Sequence, residues 1–173
     1  MPKIDEIRKA ATEYGRRSVE NMQICERLGR RIIEAFDRFL KPEGGLVIGV
    51  TPKEEWHPEQ GDYSSAAFSF YHDGILNLNE VQFGLAVRID HLTDNGHFWV
   101  RLVVALRKNG DKIGVLAGDQ DIIWLPINYE DADVQNVCEG VYEILLRVYR
   151  DDVNLFVQGR ENLQTIGFRD FSA

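Results

Sequence analysis

The sequence predicts a two-layer α+β fold, in which an antiparallel meander sheet packs against a long N-terminal helix and a second helix in the C-terminal half. Three observations lead there. Residues 83–117 alternate apolar and polar around two Asn-Gly pairs, Asn95-Gly96 and Asn109-Gly110, and this combination is the strongest short-range signal for hairpins. Lys3 to Leu40 repeats its apolar residues at helical spacing, and residues 128–150 do the same. Glu130, Asp131 and Asp133 crowd the start of the second helix and Arg147 and Arg150 its end, as the helix dipole favours.

The meander comes first because its turns set its register. If each Asn-Gly pair is a two-residue loop, the first turn sets Ile89 opposite Leu102, Val87 opposite Val104 and Leu85 opposite Leu106. The second sets Leu106 opposite Ile113, Val104 opposite Val115 and Leu102 opposite Ala117. One face of three strands is then apolar, and a slip of one residue would turn it to solvent. The other face sets Ala86, Arg88 and Asp90 against Ala105, Val103 and Arg101, with Trp99 beside Leu92. That face is either solvated or lines a site.

In the first helix, Ile4, Ile7, Ala11 and Tyr14 form one stretch of stripe, and Cys25, Leu28, Ile32, Ala35 and Phe39 a second. Ser18 and Asn21 interrupt it just after Gly15. A continuous helix here would be about 55 Å long, whereas a compact domain of this size measures about 40 Å across. Either the helix breaks near Gly15–Ser18 or its first part projects. The expectation is a single domain over residues 1–173, with residues 1–17 as a candidate helical arm. A projecting amphipathic arm must bury its stripe on something, most simply a second copy of the chain. Glu26–Arg30, Arg30–Glu34 and Glu34–Arg38 are spaced to support the helix, and Pro42 and Gly44-Gly45 end it.

The remaining elements follow in order. Residues 46–50 read as a strand, and 51–63, with Pro52 and Pro58, as the best loop in the chain. Residues 65–71 alternate around Phe68 and Phe70 as a strand would. Asp73-Gly74 then signals a turn and 75–78 a return strand. Gly118-Asp119 offers another turn, and 122–125 a fourth meander strand ended by Pro126. Residues 153–157 and 164–168 read as a closing hairpin.

The 173 residues are 44% hydrophobic and 28% charged, ordinary for a globular chain. The net charge of −8 argues against nucleic acid and anionic membranes as partners. The segment through Leu40 holds nine basic and seven acidic residues, or +2, which leaves −10 for the remainder. Its glutamates interleave at helical spacing, which suits a salt-bridged solvent face better than a surface that tracks phosphates. No apolar run reaches the ~20 residues of a membrane span, and the polar first ten residues are not a secretory signal. Cys25 and Cys138 are then expected as buried, reduced thiols in a cytoplasmic protein.

The chain lacks a phosphate loop, a dinucleotide fingerprint, a paired-His zinc helix, a paired-Cys knuckle and a Gly-x-Ser-x-Gly elbow, so no catalytic residue is nominated. His91 and His97 fall on opposite faces by strand parity, and His57 and His72 sit in a loop and at a turn. No metal site or cofactor is expected. Asp94 and Asp119 occupy turns, where aspartate is favoured for its backbone hydrogen bonds. The candidate binding residues are Arg88, Asp90, Trp99, Arg101 and Trp56. Asp90 is expected to face Arg101, with Arg88 diagonal to it, either as a cross-strand ion pair or as two guanidiniums presented to an acidic group. Trp124 is expected in the core. The function that fits is a non-catalytic protein-interaction or regulatory domain, homodimeric. The alternative is a small-molecule-binding domain or enzyme, with its site in a cup between the sheet and the second helix, rimmed by Arg88, Asp90, Arg101, Trp99 and the 51–63 loop.

Overall fold

The computed structural model describes residues 2–57, 64–73, 77–118, 121–157 and 168–170. Helix α1 runs unbroken over Lys3–Leu40. The chain then forms β1 (Val47–Val50), a 3-10 turn (Ser64–Ala67), α2 (Ser69–Asp73), β2 (Val81–Asp90), β3 (His97–Asn109), β4 (Lys112–Ala117), β5 (Ile123–Pro126), α3 (Asp131–Val157) and β6 (Phe168–Asp170). The sheet is antiparallel in the order β1-β2-β3-β4-β5, and β6 pairs with the first part of β3. Both long helices pack on one face of the sheet, which is the two-layer α+β arrangement expected.

The apolar face is the one read from the sequence. Leu85, Val87, Val104, Leu106, Ile113, Val115 and Ala117 are all buried there, against Cys25, Leu28, Ile32 and Phe36 of α1 and Val134, Val137, Cys138 and Val141 of α3. The pairing differs from the expectation, however. Leu85 stands opposite Leu102, and Asp90 opposite His97. The first reversal is a six-residue loop, in which the Asp94 carboxylate accepts the Gly96 amide at 2.7 Å and contacts His91 Nδ1 at 2.8 Å. These bonds, the Gly96 amide first, hold the Asp94 carboxyl below its ordinary range. The second loop is Gly110-Asp111, with Asn109 paired to Lys112 and Gly110 at a φ of 60°. Both shifts are by even numbers of residues, so every side chain kept its face while changing its partner.

Three other elements differ. The strand expected over 65–71 is the 3-10 turn and α2, where Phe68 drops into the core beside Phe83. A short apolar run does not distinguish a helical turn from a strand. Residues 153–157 are the last turn of α3 rather than a strand. Of the closing hairpin, residues 158–167 lie outside the described residues, and Phe168–Asp170 pairs with β3 instead. The return strand and the 118–119 turn fall partly outside the described residues.

The join from α1 to β1 is made by one side chain. The Asp37 carboxylate accepts the amides of Gly45 and Leu46 at 2.8 Å and of Val47 at 2.9 Å. Gly44 and Gly45 stand at φ values of 70° and 86°, which glycine alone adopts at little cost. Cys25 and Cys138 are free, buried thiols, pushed up by burial to about 12 and about 11.

Candidate functional site

The five candidate binding residues lie on the outer sheet face, away from both helices. Even-numbered positions of β2 and odd-numbered positions of β3 point outward, because Leu85 and Val104 point inward. The cup expected between the sheet and the second helix is therefore not where these residues sit. How the chain reaches this face depends on Gly84. Val50 pairs with Gly84, and a Cβ built on that glycine would lie 2.5 Å from the Val50 carbonyl oxygen and 2.8 Å from that of Thr51. The missing side chain lets the chain leave β1 and cross over the outer surface at residues 51–57.

The crossing is held by two of the candidates. Arg101 Nη1 donates to the Thr51 carbonyl at 3.0 Å and to the Glu54 carbonyl at 2.7 Å. Its guanidinium lies 5.5 Å from the centre of the Trp56 ring, in cation–π geometry. Trp56 and Trp99 are buried with Val50 and Ala86 in a second, smaller core, and Ile48 packs against it. Arg101 stands opposite Ala86, so the expected Asp90–Arg101 pair does not form. Asp90 instead meets Arg88, its neighbour along the strand, Oδ1 to Nε at 3.2 Å. Arg88 stands opposite Trp99. The Arg88–Asp90 contact is an ion pair without hydrogen-bond geometry, and the Trp99 indole nitrogen is buried without a hydrogen-bond acceptor among the described residues. Trp124 is not in the core. It is 44% exposed on this outer face and packs across Gly114.

No group of three His, Cys, Asp or Glu side chains is placed to hold a metal ion, and no helix is long and apolar enough to cross a membrane, among the described residues. His91 lies in the loop against Asp94, while His97 touches the edge of Trp99.

The second candidate surface is the first part of α1. Residues 2–17 are all exposed apart from half-buried Asp5, and the helix nonetheless continues through them. At ~1.5 Å per residue, 38 residues give about 57 Å, longer than the about 40 Å expected across a compact domain of this size. Local ion pairs support this stretch. Arg8 meets Asp5 at 2.8 Å, Arg16 and Arg17 meet Glu13 at 2.6 and 2.9 Å, and Arg17 meets Glu20 at 3.1 Å. Hydrogen bonds from Arg16, then Arg17, draw the Glu13 carboxyl down to about 2. The stripe is left bare, with Ile4 58%, Ile7 65% and Tyr14 49% exposed. The interruption at Ser18 and Asn21 is where the helix enters the body, and both are buried. Ser18 donates to the Tyr14 carbonyl, and Asn21 Nδ2 donates to the Asn79 carbonyl at 3.1 Å.

No family model, no curated protein and no solved structure matches the chain.

Proposed function

We propose that this chain is a non-catalytic protein-interaction domain that associates with a second copy of itself through the arm formed by residues 4–14 of α1. The observation that carries this reading is the bare stripe of Ile4, Ile7 and Tyr14 on a helix whose continuation is buried core. Two isoleucines left in water forgo roughly 1.5–3 kcal/mol each of burial energy. An arm with nothing to cover would be expected to fray or to carry polar residues there. Here the helix persists, with ion pairs along its other faces and apolar residues on one. A second copy is the simplest partner, because it brings the same surface at the same concentration.

Light scattering on the full-length chain tests the reading. The unmodified chain is expected to show twice its 19.9 kDa mass at about 100 µM. Ile4→Asp with Ile7→Asp is expected to return the mass to that of one chain. The melting temperature of the body should stay within about 2 °C, since both sites are exposed. A single-chain mass for the unmodified protein, or a doubled mass unaffected by the two substitutions, would overturn it.

A further inference from the structure

We infer that the two arms pair antiparallel about a two-fold axis beside Lys9, so that Ile4 packs on the partner's Tyr14 and Ile7 on the partner's Ala11. This rests on the self-association proposed above and adds its geometry. The spacing of the seam is the first ground. Ile4, Ile7, Ala11, Tyr14, Ser18, Asn21, Cys25, Leu28, Ile32, Ala35 and Phe39 alternate intervals of three and four without a break, the heptad pattern of a helix that packs along one line. From Ser18 onward that line is buried against the body, and before Ser18 it is exposed.

This continuity decides the direction. The sheet and the missing partner lie on the same side of α1, because one seam serves both, with a drift of only about 20° per heptad. A parallel partner helix, continued past its own residue 18, would run into the space held by the sheet. In an antiparallel pair the partner's helix begins at its Lys3, before the level at which the seam of the first helix meets the sheet, and its own body sits past Lys3 of the first arm.

The register follows from the reach of the bare stretch. With the axis beside Lys9, all four apolar positions of each arm find an apolar counterpart. A shift by one heptad step in either direction pairs only Ile4 with Ile7, or only Ala11 with Tyr14. In the favoured register the partner's Lys3 comes level with Gly15, just short of the first buried residue, Ser18. Arg8 of each arm comes near the axis, and the Asp5 carboxylate at 2.8 Å offsets its charge. The seam is flanked by basic rather than acidic groups. Self-pairing should therefore hold or tighten as salt rises, whereas docking of the arm on the acidic body of another copy should weaken.

Disulfide trapping tests the register. Full-length Ile7→Cys and Ala11→Cys variants are oxidised with diamide, separately and mixed, at pH 8. Cys25 and Cys138 are buried, with thiols held protonated, and stay out of the reaction. The mixture is expected to give the 7–11 cross-linked pair at several times the yield of either variant alone. Equal trapping of Ile7→Cys with itself would mean a parallel pair and overturn the inference. A doubled mass by light scattering with no cross-link in any mixture would overturn the register while leaving self-association standing. A mass that falls to one chain on going from about 50 to about 500 mM salt would assign the arm to an acidic surface instead. A single-chain mass at every concentration would remove both proposals.

Discussion

Gly84→Ala is expected to destabilise the body by about 2–3 kcal/mol, although an exposed strand would gain from the same change. The new methyl would sit 2.5 Å from one backbone oxygen and 2.8 Å from the next, and neither belongs to a flexible side chain that can swing aside. Relief requires β1 to move away from β2, or the 51–57 crossing to lift off the sheet. The second route frees Trp56, now 5% exposed, and pulls the Thr51 and Glu54 carbonyls from Arg101. The expected signature is a lower denaturant midpoint together with a red-shifted tryptophan emission in the folded protein. Gly15→Ala serves as the control, since nothing lies within 4 Å of its added Cβ and the helix gains up to about 1 kcal/mol of local propensity. Unchanged stability in Gly84→Ala would show that the crossing is not held where it is described.

Asp37→Ala is expected to cost about 2–4 kcal/mol. The carboxylate accepts three backbone amides in succession, and truncation leaves all three donors without their acceptor at the start of an edge strand. Asp37→Asn should cost less, because its remaining oxygen can keep the amides of Leu46 and Val47 while its NH2 faces that of Gly45. Denaturant titration of the two variants, ranked alanine worse than asparagine, checks the claim. Equal and small losses would mean that Pro42 and the two positive-φ glycines make the turn unaided.

These two residues show where the sequence was legible and where it was not. The buried face of the sheet was readable because alternation is a local property and survives an even shift of register. Val104 and Leu106 are buried whichever partner they face. The partners were not readable, because an Asn-Gly pair competes with other ways of closing a loop. Asp94 closes the first reversal through Gly96 and His91, four residues before the expected register would allow. The outer face departs from the expectation for the same reason. Arg101 stands opposite Ala86 rather than Asp90 and reaches a loop some 50 residues earlier in the chain. A glycine inside a strand pattern signals close backbone approach, and weighing Gly84 in that light would have found the crossing. Asp37 gave no local signal, because its partners are eight to ten residues away across a turn. The overlong helix was the reverse case. Its length against the size of a compact domain already implies an arm, and α1 runs unbroken through Gly15.

Hydrogen exchange on the unmodified chain at two concentrations reads the arm itself. The amides of residues 4–14 are expected to exchange several-fold more slowly at about 200 µM than at about 1 µM, while those of Leu28 and Ile32 stay equally protected at both. Rapid exchange of residues 4–14 at the same rate in both samples would mean that the exposed stripe has no counterpart in a second copy.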